Sequence, residues 1–185
     1  MYLLVFLAIV LALGFFLVNI FNRFAKNRNV VKDAWSNIDV ALKRRYDLIP
    51  NLVETIKGYA AHEKTTLESV INARNAAMAV PNDDINAQIK AENQLQQTLR
   101  SIFALSEAYP DLKANSNFLD LQQKLNEIEI NLERSRRYYN GTVRENNTYG
   151  ESFPGVVFAS MFKYQHFDFF ETDEASRENV KVSFD

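Results

Sequence analysis

Between Tyr2 and Phe21 the chain is apolar at nearly every position. The run YLLVFLAIVLALGFFLVNIF carries no charge, and Asn19 is its only strongly polar member. Twenty helical residues cover about 30 Å, the thickness of a bilayer's hydrocarbon core. Tyr2 and Leu3 would open such a transmembrane helix and Phe21 would close it. Beyond the run the pattern changes to alternating steps of four and three: Val31, Trp35, Ile38, Leu42, Arg45, Ile49, Leu52, Ile56, Tyr59. That spacing predicts a heptad seam on one face of a helix, the kind that builds a coiled coil, with one charged intruder. Because the seam stays in phase from Leu42 to Ile56, it predicts one helix kinked at Pro50. The alternative is a new helix with Asp47 as its cap and Pro50 in its first turn.

Three more stripes follow. Leu67, Val70, Ile71, Ala77 and Met78 lead to the turn at Pro81, and Ile85, Ile89, Glu92, Leu95, Leu99 and Ile102 lead to Tyr109-Pro110. The last opens at Ser116 or Asn117 as a cap and continues through Phe118, Leu121, Leu125, Ile128, Leu132, Ser135 and Tyr139. Pro81, Pro110 and Pro154 punctuate these segments, and Gly58 is the one glycine between Lys57 and Tyr139. Gly58 and the Ala-Ala-His-Glu stretch at His62 permit a break after the first helix without requiring one. Amphipathic segments joined by short connections bury their stripes most simply against one another, as an all-α helix bundle. The pattern thus divides the chain into an anchor (1–22), a helical body (23–150) and an aromatic, then acidic, C-terminal segment (151–185).

A cleaved secretory signal competes with a retained anchor for the first run. A signal needs a basic leader, a shorter apolar core and a small-residue cleavage site. Only Met1 precedes this run, and no Ala-x-Ala pattern ends it, so a retained transmembrane helix is expected. Arg23, Lys26, Arg28 and Lys32 follow closely. By the positive-inside rule they place the body in the cytoplasm and Met1 outside, in a single pass through the cytoplasmic membrane.

Charge and composition narrow the chemistry. The 21 basic and 23 acidic residues all lie outside the apolar run, which leaves a nearly neutral body and no basic face for nucleic acid. There are no cysteines, and His62 and His166 have no ligand-like spacing, so neither metal nor cofactor is expected. No Ser/His/Asp set or phosphate-cradling glycine loop is present, and His62-Glu63 lacks a second histidine because position 66 is Thr66. The expectation is a protein that is not an enzyme.

Several blocks resemble the LemA family. They are Ala34–Ala60 (AWSNIDVALKRRYDLIPNLVETIKGYA), His62-Glu63, Leu67–Arg74, Ala108–Asn115, Asn117–Gln122, Arg136–Asn140 and Phe153-Pro154. The resemblance implies a bacterial membrane protein whose anchor precedes an antiparallel four-helix body. It implies no established catalytic activity, and some relatives are associated with membrane proteases.

Within that frame a few residues invite interpretation. Lys43, Arg44 and Arg45 precede Asp47, but consecutive helical residues diverge and only Arg45 lies on the seam. A buried arginine needs a partner, and Glu92, which interrupts the third stripe, is the most economical one. Arg134, Arg136 and Arg137 form a second basic cluster, with Glu127, Glu129 and Glu133 at pairing distance along the same helix. Asn140-Gly-Thr and Asn146-Asn-Thr read as polar turns, and Asp83-Asp84 as a solvent-exposed helix cap. Phe153, Phe158, Phe162, Tyr164, Phe167, Phe169 and Phe170 crowd one short segment with Met161. They must dock on the body, meet a partner or sit at a membrane interface. Glu171, Asp173, Glu174 and Glu178 would be repelled by an anionic leaflet, which favours the body or a partner.

Two functions remain. One is a membrane-anchored scaffold or interaction protein, forming homo-oligomers or binding another membrane protein. The other is a module that binds a small anionic ligand or lipid headgroup through the arginine clusters. Ala8 and Ala12 are the only spaced small pair in the anchor, so self-association is expected to depend on the body and the aromatic segment.

Overall fold

The computed structural model describes residues 1–81 and 84–170. Among these the protein is helical, without strands: α1 (Tyr2–Lys57), α2 (Lys64–Met78), α3 (Ile85–Ser106), a short α4 (Pro110–Lys113), α5 (Ser116–Glu151) and a single turn, α6 (Gly155–Phe158). The apolar run is the first third of α1. It is long and apolar enough to cross a membrane, and only 6% of its most apolar window is buried within the protein. Tyr2 and Leu3 at its start are almost fully exposed, and Phe21 at its end is exposed as well. None of the three is a core residue. A core helix of a soluble protein would be mostly covered, so this helix is compatible with a single membrane pass.

The described residues form two compact units. One comprises residues 1–39 and 134–169, the other residues 40–133 with Phe170.

In the second unit, α1 passes through Pro50 without interruption. Proline has no N–H, so the Tyr46 carbonyl one turn earlier loses its helical partner. Arg74 of α2 supplies a replacement, its Nε donating to that carbonyl at 2.7 Å. The one-helix expectation therefore holds, and the break comes at Gly58, where the amides of Tyr59 and Ala60 both close onto the Ile56 carbonyl. Tyr59 itself lies beyond the helix and is exposed, not seamed.

The buried stripe of α1 is wider than a heptad seam. Tyr46 and Val53 are buried beside Leu42, Arg45, Ile49, Leu52 and Ile56, as required of a helix covered on more than one side. On α3 the stripe begins at Gln88, and Ile85 and Ile89 are half-buried. Met78 of α2 is exposed. Asp84 caps α3, accepting from the Ala87 amide at 2.9 Å, while Asp83 lies outside the described residues. The cap of α5 is Asn115, one residue earlier than expected, its Oδ1 accepting from the Phe118 amide at 3.0 Å. Pro110 opens α4, where its missing N–H costs nothing, and Leu112 of that turn is fully buried. The connections are tied by Tyr109 Oη donating to Glu63 at 3.2 Å and Asn115 Nδ2 donating to Tyr59 Oη at 2.9 Å.

In the first unit, α5 continues straight through Asn140-Gly-Thr and Asn146-Asn-Thr. The polar turns expected there are helix interior, with Thr142, Asn146 and Asn147 buried. Ile20, Phe24, Val31, Ala34 and Ile38 of α1 and Tyr139 and Val143 of α5 make the core, and the Trp35 ring lies 5.4 Å from that of Tyr139.

Candidate functional site

The second unit has a charged centre. Arg45 and Glu92 are almost wholly withdrawn from solvent, their side chains 6% and 1% exposed, and Arg45 Nη1 meets Glu92 Oε2 at 3.3 Å. The structure brings the expected pair together within a larger network. Arg45 Nη2 also reaches Glu129 of α5 at 3.3 Å. Tyr46 donates its hydroxyl to Glu92 Oε1. Gln88 Nε2 donates to Tyr46 Oη at 2.9 Å and to Glu92 Oε1 at 3.2 Å. Glu92 thus accepts from Arg45, Tyr46 and Gln88, the first of them cationic, and this is how a carboxylate survives in a helical core.

Burial pushes the Tyr46 phenol well above its ordinary value, and the Glu92 carboxylate beside it pushes in the same direction. Tyr46 is consequently a fixed neutral donor. The periodicity that marked Arg45 and Glu92 missed Tyr46 and Gln88, and it assigned Glu129 to local pairing on α5. Arg44 and Asp47 flank the network on α1, but both are exposed and take no part in it.

Arg45 and Glu129 form part of the wall of an open groove of about 510 Å³, completed by Leu99, Arg100, Phe103 and Leu125 among others. The groove offers guanidinium, amide and aliphatic surface. Among the described residues no three His, Asp or Glu side chains gather as a metal site would require.

The first unit holds the other singled-out residues. Arg136 is half-buried and Arg137 exposed, both on α5. Phe153 is exposed, Phe162 and Phe169 are half-buried, and Phe167 is buried. The segment after α6 is held by a latch that the sequence did not reveal. Asn147 Nδ2 donates to the Phe167 carbonyl at 2.8 Å, and its Oδ1 accepts from the Phe167 amide at 3.2 Å and from Tyr164 Oη at 3.3 Å. Asn146 Nδ2 donates to the Gln165 carbonyl at 2.9 Å, and Tyr139 Oη to that of Asp168 at 2.9 Å. Burial raises the Tyr139 phenol, with the Asp168 carboxylate adding to the shift.

Two glycines make room for this packing. A Cβ on Gly150 would lie 2.3 Å from the Tyr164 ring, and one on Gly155 would lie 2.0 Å from the Tyr149 carbonyl oxygen.

A model of the LemA family matches residues 34–184, which takes in both the charged centre and the latch. The chain belongs to the LemA family. It is also similar to a protein named Protein LemA from Metamycoplasma hominis, 23% identical over 162 residues that cover 88% of this chain and 74% of that protein. The LemA family is not known as an enzyme family. In this member the matched region begins at Ala34, partway along α1, so one helix carries both the apolar run and family sequence.

Proposed function

We propose that this LemA-family chain is a non-enzymatic, membrane-anchored interaction protein. The first third of α1 spans the cytoplasmic membrane once, with Met1 outside and the body in the cytoplasm. Tyr2 and Leu3 begin that span and Phe21 ends it. Residues 40–133 form an antiparallel four-helix body from the end of α1, α2, α3 and the start of α5. The observation that carries this reading is the continuity of α1, an exposed apolar run that passes without a break into family sequence. Such a tether keeps the family region beside the bilayer, which suits a protein that works by contact. The four-helix body is supported by Arg45, Tyr46 and Arg74, whose bonds draw α1, α2, α3 and α5 together. The α1–α2 connection is short, which favours antiparallel neighbours.

The partner is a second copy or another membrane protein. The rival function, binding of an anionic ligand through the arginine clusters, is less favoured because Arg45 of the first cluster already lies between two carboxylates.

Topology is tested by fusing a reporter active only in the cytoplasm to Asp185. An active fusion is expected, and a dark one beside an active periplasmic reporter would reverse the orientation. Crosslinking in membranes then tests assembly. The full chain should yield more oligomer than a chain truncated after Gly150, and equal yields would remove the aromatic segment from the contact.

A further inference from the structure

The end of the apolar run and the segment after α5 share one aromatic cluster. Phe162 meets Phe21 edge-on with centroids 5.4 Å apart, and it stacks with Phe158 at 5.9 Å. Phe24 lies 4.9 Å from Tyr149 and 6.0 Å from both Phe162 and Tyr164, and Arg23 sits over the Tyr149 ring at 4.7 Å. Part of the segment's apolar surface is used in this way. The rest faces outward: Phe153 is 81% exposed, Val157 60%, Met161 58% and Val156 52%. No charged residue occurs from Ser152 to Phe162. So apolar a strip on one short segment marks something that covers it.

Its position says what that is. Phe21 is the last residue of the apolar run, and Arg23, Lys26 and Arg28 follow within two turns. If the run fills the hydrocarbon, Phe21 lies at the hydrocarbon edge, and the segment that meets it edge-on through Phe162 lies at the same depth. Apolar and aromatic side chains are favoured there, with cations just outside against headgroup phosphates. Lys163, directly after the strip, adds to that basic belt. The backbone of the strip is also prepared for a drier medium. Val156 donates to Ser152 at 2.9 Å, Val157 to Pro154 at 3.2 Å, Phe162 to Phe158 at 2.9 Å and Tyr164 to Ala159 at 2.8 Å. Closing these bonds internally reduces the cost of leaving water.

We infer that residues 153–162 form an interfacial foot, inserting Phe153, Val156, Val157 and Met161 into the edge of the same bilayer that α1 crosses. The proposal rests on α1 being a membrane span. Glu151 and Asp168 stand outside the strip on either side of it, and the continuous acidic run that argues against membrane contact begins at Glu171, outside the described residues. With the foot inserted, the anchor holds the membrane at two points, a span and a lateral contact. That pairing restrains rotation of the first unit about the axis of α1.

The chain has no cysteine, so single labels can be placed without background. Full-length Phe153→Cys, Val157→Cys, Val10→Cys and Ala104→Cys proteins would carry a nitroxide in vesicles of phosphatidylcholine and phosphatidylglycerol. Accessibility to oxygen and to a water-soluble nickel chelate reports depth. Ala104, exposed on α3, is the solvent reference. The foot predicts nickel accessibility at 153 and 157 several-fold below that at 104, with the label at 10 deeper still. If 153 and 157 match 104 while 10 is shielded, the foot is wrong and the span stands. If 10 is also open to nickel, the span falls and the foot with it. Immobile labels at 153 and 157 that are closed to both reagents would mean a second protein covers the strip, which overturns the proposal.

Discussion

The second unit is organised around charge, and the first around neutral amides and rings. In the second, Arg45 lies between Glu92 and Glu129, and Tyr46 and Gln88 also donate to Glu92. In the first, Asn146, Asn147 and Tyr139 bond main-chain groups of residues 165–168, and aromatic rings fill the space around Phe24. Each chemistry answers a different problem. Helices satisfy their own backbones, so what they need is a rule for which faces meet. A buried ion pair supplies one, because a wrong pairing strands a charge. Residues 164–170 form no helix or strand and cannot satisfy their own backbone, so they need side chains that present a donor and an acceptor together. Asparagine does this without a desolvated charge.

The contrast is broken most severely at Arg45. Arg45→Ala leaves the Glu92 carboxylate buried without its cation, and a loss of about 3–5 kcal/mol is expected. Replacing both members by apolar residues, Arg45→Met with Glu92→Leu, should recover part of that loss, because it removes the orphaned charge while Tyr46 and Gln88 lose their acceptor. Denaturant unfolding of the detergent-solubilised chain measures both. A loss below about 1 kcal/mol in the single variant would mean that the charge is solvated.

Asn147→Ala tests the neutral latch. It removes a donor to the Phe167 carbonyl and the acceptor for the Phe167 amide. A cost of about 1–3 kcal/mol is expected, the usual cost of leaving buried polar groups unpaired. The distinguishing readout is local. Amide exchange should accelerate at Phe167 and its neighbours while α2 and α3 keep their protection. A uniform rise across the chain would show that the latch is not a separate element.

How much of this was legible in the sequence follows from the same contrast. Glu92 and Arg45 were visible because each interrupts an apolar stripe, and a charge on a stripe has few ways to be satisfied. Tyr46 and Gln88 were not, since a heptad seam counts one face and a polar residue beside it reads as surface. Glu129 had arginines within helical reach, and only the fold turns it toward Arg45. The helices and the uninterrupted passage through Pro50 were readable from phase. The latch was not, because Asn146 and Asn147 act on a segment about twenty residues away with no periodicity of its own. Gly141 and the Asn-x-Thr pattern pointed instead to turns.

Alkaline pH sharpens the comparison further, since each unit buries one tyrosine. Tyr46 and Tyr139 both have phenols raised above the ordinary value of 10.0, chiefly by burial. Below pH 10 the phenol is protonated in folded and unfolded chains alike, and stability does not depend on it. Above pH 10 the unfolded chain ionises first, so each phenol should remove about 1.4 kcal/mol of stability per pH unit. Tyr46→Phe and Tyr139→Phe should each flatten this alkaline limb by one phenol's share, measured as the pH dependence of unfolding. An unchanged slope would place that tyrosine in water.

The smallest expected effect concerns Arg74 and Pro50. Arg74 donates to the Tyr46 carbonyl, which Pro50 deprives of its helical partner. If that is its main contribution, the two positions are coupled. Arg74→Leu should cost about 1–2 kcal/mol in the natural chain, where it orphans a carbonyl that a charged donor had satisfied. In a Pro50→Ala background the new N–H at position 50 can bond the same carbonyl, and Arg74→Leu should then cost about 1 kcal/mol less. The double-mutant cycle isolates that difference from whatever else each substitution does. Equal costs in the two backgrounds would mean that Arg74 stabilises through its packing or its Asn75 contact, and that the α1–α2 bond does not compensate for the proline.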